Sequence, residues 1–312
     1  MIFFWGVLLI IVGVLVALPF AREEMRRKMG PEERKTAPGR FVTLSQGVTH
    51  YEWLGPVRGP VAVCVHGLTT PSYVWRGMGR GLALMGYRVL IYDLYGRGYS
   101  DRPSGLQNGQ FFNTQLAELL DDQGIKDDIT LLGYSMGGAI VASFTARHPE
   151  KIRHLILIAP AGIAIIRSRM YDFCTRTQIV GEWLMLALFP YFHRKGVNKE
   201  KNLPSSVENI TTLQKAELKY QGFVAAVLSS LRGILAVPLE DEHRIIHAAG
   251  VPVLAVWGRH DDVIPLSAVG KLTEWSRNAR QEVIEDAGHG LTYTHTDAVL
   301  AAMSDVLRDG LR

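Results

Sequence analysis

The chain has 312 residues, 47% of them hydrophobic, which suffices for a sizeable core and excludes a disordered or fibrous polymer. Its formal net charge is +4, and seven basic against four acidic residues between positions 22 and 40 supply +3 of that, so no basic face for a nucleic acid is left in the remainder. The two cysteines, Cys64 and Cys174, offer no disulfide framework, and no metal-ligand spacing, zinc pattern or Walker loop occurs.

Residues 2–18 are all apolar or glycine, and Pro19, Phe20 and Ala21 extend the run to the length that crosses a hydrocarbon core. Residues 1–21 are therefore expected to form a transmembrane anchor. A cleaved signal peptide is the alternative; it would carry a positive start and a small-x-small cleavage site, whereas no basic side chain precedes this run, which ends in Leu-Pro-Phe-Ala before Arg22. Lys and Arg beside a span tend to stay in the cytoplasm, so Arg22, Arg26, Arg27 and Lys28 imply a single-pass protein with its bulk on the cytoplasmic side. Residues 22–40 are charged and hold Pro31 and Pro38; they read as a basic stalk, short and helical or flexible, before a folded domain over 41–312.

Residues 41–44, a Ser45-Gln46-Gly47 turn and residues 48–54 read as a β-hairpin. From Val61 the rhythm becomes strand then helix. Strands are expected at Val61–Val65, Arg88–Tyr92, 129–132, 155–158, 251–256 and 281–284, with helices at 74–85, 111–123 and 138–143 among those between them. Continuous apolar strands separated by helices predict an α/β protein with a mostly parallel sheet covered on both faces. In such sheets the chemistry collects at the carboxyl ends of the strands. Residues 162–246 break the rhythm with two helix-like apolar stretches, 183–189 and 223–228, around polar turns containing Pro190 and Pro204. They predict a helical lid over the strand ends, with Trp183 among the apolar residues walling the space beneath it.

Gly133-Tyr134-Ser135-Met136-Gly137 lies between a buried strand and a small-residue helix, a setting that leaves Ser135 at the tip of a sharp turn. A serine hydroxyl needs a base to become a nucleophile, and the base needs an orienting acid. Asp261 follows one strand and His289 the next, both at the carboxyl edge, in the chain order Ser, Asp, His that such a sheet requires. Asp262 competes with Asp261, but the spacing from Gly258 and to Pro265 favours Asp261. His260 shares the acid's loop, His295 opens the last helix, and His148 and His154 flank a strand at its amino end. An oxyanion needs two aimed amides; Met136 offers one and Leu68, in the loop after the first apolar strand, the other. His66 in that loop reads as structural, and the Gly96-Arg97-Gly98 segment as a tight scaffold loop rather than a cofactor site.

Taken together, the His66-Gly67 loop, Asp93-x-x-Gly96-x-Gly98-x-Ser100-x-x-Pro103, the Ser135 elbow, Gly258-x-x-Asp261-x-x-x-Pro265 and Gly288-His289 make residues 41–312 resemble the α/β-hydrolase superfamily. With the amino-terminal run, the layout is similar to membrane-anchored monoacylglycerol lipases. It departs from many relatives in lacking a Glu-x-Pro after the histidine, where this chain reads Gly290-Leu291-Thr292-Tyr293-Thr294-His295. The resemblance implies an α/β-hydrolase fold with a helical lid, and a cofactor-free ester hydrolase or lipase acting on lipid-like, apolar acyl esters through Ser135, His289 and Asp261. Thioesterase, C–C bond hydrolase and cofactor-free haloperoxidase chemistry use the same triad and stay open. Dehalogenases and epoxide hydrolases of the superfamily place an aspartate at the elbow, against Ser135. A non-catalytic hydrolase-like receptor would be expected to lack a triad member, and none is missing. Nothing in the sequence sets the oligomeric state.

Overall fold

The computed structural model describes residues 2–164 and 169–308. In chain order, α1 (Ile2–Glu24) and α2 (Pro31–Arg34) precede the antiparallel hairpin β1 (Arg40–Leu44) and β2 (Gly47–Leu54). The alternating part runs β3 (Val61–Val65), α3 (Arg76–Leu84), β4 (Arg88–Tyr92), α4 (Gly109–Asp122), β5 (Ile129–Tyr134), α5 (Met136–Arg147) and β6 (Ile152–Ile158). Among the described residues, four helices follow without a strand: α6 (Arg169–Arg176), α7 (Ile179–Lys199), α8 (Ile210–Ala216) and α9 (Phe223–Arg232). The chain closes with α10 (Glu240–Ala248), β7 (Val253–Gly258), α11 (Ser267–Trp275), β8 (Arg280–Ile284), α12 (Leu291–Thr294) and α13 (Thr296–Arg308).

The eight strands form one sheet in the order β1-β2-β4-β3-β5-β6-β7-β8, parallel from β4 to β8 and antiparallel at the β1 and β2 edge. Successive side chains of a strand point to opposite faces, and each strand's apolar run is shared between two cores accordingly. Val63, Val65, Leu131 and Leu155 face α4, α5, α10 and α11, while Ala62, Cys64, Leu132 and Ile156 face α3, α12 and α13. Both cysteines are free and buried. The central strands β3 and β5 end side by side, with Val65 opposite Gly133, so the loop after β3 and the elbow after β5 meet at one place on the carboxyl edge.

The helical segment α6–α9 lies between β6 and β7, as the interrupted rhythm predicts. Pro190 sits inside α7 rather than in a turn. Its ring removes one backbone donor, yet Phe189 and Val197 on either side are buried, and their packing carries the helix through. Trp183 also departs from expectation: it faces α1, donating from Nε1 to the Val16 carbonyl at 3.0 Å, and is absent from the cavity walls described below.

Helix α1 is long and apolar enough to cross a membrane, with a mean hydropathy of 2.7 and only 6% of its apolar window buried. The residues after it do not swing free. Arg27 pairs with Tyr220 as a bridge, its amide donating to Lys219 O (3.0 Å) and its carbonyl accepting from Gln221 N (2.9 Å). Glu23 Oε1 accepts from Gly222 N at 2.7 Å, and Arg34 reaches Asp101 (2.6 Å) and the Tyr99 carbonyl (2.9 Å). The segment expected as a stalk is thus laid against the folded body beside α9.

Candidate active site

Ser135 occupies the single residue between β5 and α5, with φ 53° and ψ −119°, a backbone conformation that L-residues rarely adopt. The turn is held by Ser135 N donating to Ile158 O (3.0 Å) and by Ser135 O accepting from Ala161 N (2.9 Å). It is also held by the absence of side chains. A Cβ at Gly137 would run into the Val65 carbonyl, and one at Gly133 into the carbonyl of Gly137. Ser135 is 8% exposed and forms part of the floor of a cavity.

The loop after β7 carries Asp261, and the loop after β8 carries His289. Asp261 Oδ1 accepts from the amides of Val263 and Ile264, both at 2.8 Å, which locks the carboxylate and leaves Oδ2 for His289 Nδ1 at 2.8 Å. A carboxylate only accepts, so the imidazole proton is on Nδ1 and Nε2 presents a lone pair. That lone pair lies 3.0 Å from Ser135 Oγ. The Tyr134 hydroxyl donates to the His289 carbonyl at 3.1 Å and ties this loop to the elbow. The arrangement can take the serine proton onto an oriented imidazole.

The rival residues lie elsewhere. Asp262 pairs with Lys199 (3.5 Å) at the rim, both largely exposed. His295 meets the Thr294 hydroxyl at the start of α13, and His148 and His154 belong to the opposite edge of the sheet. His260 lines the mouth.

Met136 is the first residue of α5, where an amide has no intrahelical acceptor. Leu68 N likewise has no acceptor among the described residues. Its direction is set by the buried His66. Leu94 N donates to His66 Nε2 (2.9 Å), so Nδ1 carries the proton and donates to Gly67 O (2.8 Å). The carbonyl of Gly67 and the amide of Leu68 share one trans peptide and point opposite ways. Holding one therefore aims the other. Burial pushes the His66 pKa down to about 4, which keeps this tautomer neutral.

In the sequence Arg97 reads only as part of a tight loop. Fully buried, it donates to the carbonyls of Leu68 (3.0 Å), Tyr95 (2.9 Å) and Ala226 (3.1 Å) and to Ser230 Oγ (2.8 Å), joining the amide-bearing loop to α9. Burial lowers its pKa to about 9. Asp93 anchors the same loop system, accepting from Ser72 N, Tyr99 N and His50. Burial opposes its charge, but these bonds and the nearby histidines hold it well below the usual carboxylate range. An isolated Arg between two glycines carries no sequence signal of either role.

The cavity above Ser135 measures about 550 Å³. One part of its wall is apolar, from Tyr171, Phe189, Val227, Leu231 and Leu235; another is polar, from Thr70, Glu200, Gln214 and Tyr293. Gln214 and Glu200 lie in the helical segment between β6 and β7, where periodicity marks apolar faces and is silent about polar residues turned inward. Among the described residues no cluster of His, Cys, Asp and Glu could hold a metal ion.

A family model described as the alpha/beta hydrolase fold matches residues 60–296. Among curated proteins, the chain is 25% identical to "Epoxide hydrolase 3" of Xenopus tropicalis, covering 99% of this chain and 92% of that one. It is 26% identical to "Lipase 1" of Psychrobacter immobilis, covering 80% and 77%. Among solved structures, a membrane phospholipase A described as a novel bacterial virulence factor superposes with a TM-score of 0.69 at 21% identity, covering 99% of this chain and 98% of that one.

Proposed function

Because the chain belongs to the α/β-hydrolase family, we propose that it is a serine hydrolase of carboxylic esters with an apolar acyl chain, of a lipid-like or monoacylglycerol type. The observation that carries this reading is the unbroken relay from Ser135 Oγ through His289 to Asp261, at 3.0 and 2.8 Å, opening on a cavity with an apolar wall. Ser135 Oγ attacks the carbonyl carbon as its proton passes to His289 Nε2. The amides of Leu68 and Met136 receive the oxyanion, with the amino end of α5 behind them. His289 then protonates the departing alcohol, Asp261 stabilises the transient imidazolium, and water attacks the acyl-enzyme by the same path in reverse. The Ser135 hydroxyl disfavours epoxide opening. A carboxylate nucleophile would form an ester that water can cleave, whereas serine would form an ether that it cannot.

Residues 1–21 would serve as the membrane anchor, residues 22–40 as the link to the catalytic domain over 41–312, and residues from about 162 to 246 as its lid. A fluorophosphonate probe tests the central point, because it labels only an activated serine. Wild-type protein should be labelled and should hydrolyse p-nitrophenyl esters with a preference for longer acyl chains. No labelling and no turnover would overturn the reading.

A further inference from the structure

We propose that Glu200, Gln214 and Tyr293, with Thr70, form a subsite that recognises the free hydroxyl groups of a neutral polyol leaving alcohol. The proposal rests on the ester-hydrolase reading and specifies the alcohol half of its substrate. These four residues line the same cavity as Ser135 and come from the β3 loop, the end of α7, α8 and α12, whereas the apolar wall comes largely from α6, α7 and α9. An acyl chain is accommodated by the second group, which leaves the first for what is bonded to the ester oxygen.

The hydrogen-bond directions decide what this wall wants. The Tyr293 hydroxyl has one proton and gives it to Glu200 Oε2, because a carboxylate only accepts. Tyr293 must therefore accept from Gln214, so the amide nitrogen of Gln214 faces it, at 3.5 Å. The same nitrogen donates to Thr70 Oγ1 at 3.1 Å. This fixes the Gln214 amide the right way round and leaves Oε1 with no partner among the described residues, although the residue is only 5% exposed. Glu200 Oε1 also accepts from no described residue. The wall then offers two unfilled acceptors and a single donor, the Thr70 hydroxyl proton. A vicinal diol donates and accepts and so matches this set. A phosphate or carboxylate only accepts and would meet the Glu200 carboxylate. A methyl or simple alkyl alcohol would leave the buried Gln214 Oε1 and the half-buried Glu200 Oε1 unfilled.

The test holds the acyl chain constant and varies the alcohol: 1-decanoylglycerol, methyl decanoate and 1-decanoyl-glycerol-3-phosphate, each measured as kcat/KM on the full-length protein in detergent. The glyceryl ester should be preferred over each of the other two by about tenfold or more. Glu200→Gln keeps the shape but turns an acceptor into a donor, and it should lower the glyceryl-to-methyl ratio about tenfold. Gln214→Met is a second variant in case the first does not fold, and it should lower the ratio likewise. A wild-type ratio near one, a preference for the phosphate ester, or variants that lose both substrates in proportion would overturn the subsite while leaving the ester-hydrolase reading standing. Failure to hydrolyse any of the three, with no fluorophosphonate labelling, would remove both.

Discussion

At the scale of single residues, the geometry around Ser135 makes distinct forecasts for the histidines. Ser135→Ala and His289→Ala should each lower ester turnover by about 10⁴-fold or more while far-UV circular dichroism stays unchanged, because the serine and its base act as one unit. His295→Ala should leave turnover within a few-fold, since that ring meets Thr294 rather than the serine. A folded Ser135→Ala protein with near-normal turnover, or reversed histidine results, would show that the base is misplaced. Sequence position separated these histidines only by which loop each follows; the structure separates them by a 3.0 Å approach to Oγ.

Between elements, the wall of the cavity and the dock of the amino-terminal segment invite separate experiments. Leu231 lines the cavity and Trp183 does not. Leu231→Trp should cut kcat/KM for decanoyl esters at least about tenfold relative to acetyl esters, by filling the space an acyl chain needs. Trp183→Ala should leave the chain-length profile unchanged, because its indole is spent on the Val16 carbonyl. A panel of p-nitrophenyl esters reads both. The Glu23 carboxylate holds the Gly222 amide at the turn into α9. A hydrogen bond to a charged group contributes about 1.5–3 kcal/mol, so Glu23→Ala should speed hydrogen exchange at Gly222 by about ten- to a hundredfold. Exchange unchanged from wild type would mean that the segment merely rests there.

For the whole molecule, acid stability and membrane placement are the measurable properties. His66 and His243 are both buried, and burial pushes each pKa down to about 4 from an ordinary value of 6.5. At these two sites the unfolded chain binds protons in this interval that the native one does not, so their contribution to stability is full above about pH 6.5 and falls on acidification towards pH 4, while the buried Glu217, raised to about 7 by desolvation, acts in the opposite sense. One such group contributes a slope of about 1.4 kcal/mol per pH unit. His243→Phe retains the stacking on Trp275 and should reduce the slope by about that amount in urea unfolding at pH 4.5, 5.5 and 6.5. An unaltered slope would mean that His243 is already protonated in the native state. As for placement, protease added to sealed spheroplasts should spare the domain if the positive flank after α1 keeps it in the cytoplasm. Digestion without lysis would reverse the orientation.

Periodicity and turn chemistry are local, and they sufficed for the parallel sheet, the hairpin at its edge, the elbow with its close-packed glycines and the candidate triad in its chain order. Strand run lengths and glycine spacings record constraints that act over a few residues, so they survive in a one-dimensional reading. What depended on tertiary structure was every relation between distant segments. The amino-terminal residues 22–40 looked like a stalk because charge and proline hide their backbone pairing with Tyr220 and Gln221. Trp183 looked like a cavity wall because an apolar stretch does not say which neighbour it meets, and here that neighbour is α1. From the sequence His66 reads as structural, and only its two bonds in the fold show that it aims the Leu68 amide. The polar wall of Gln214, Glu200 and Tyr293 is assembled from positions up to 93 residues apart. No local pattern marks it, because hydrogen-bond partners are chosen by proximity in the fold and not along the chain.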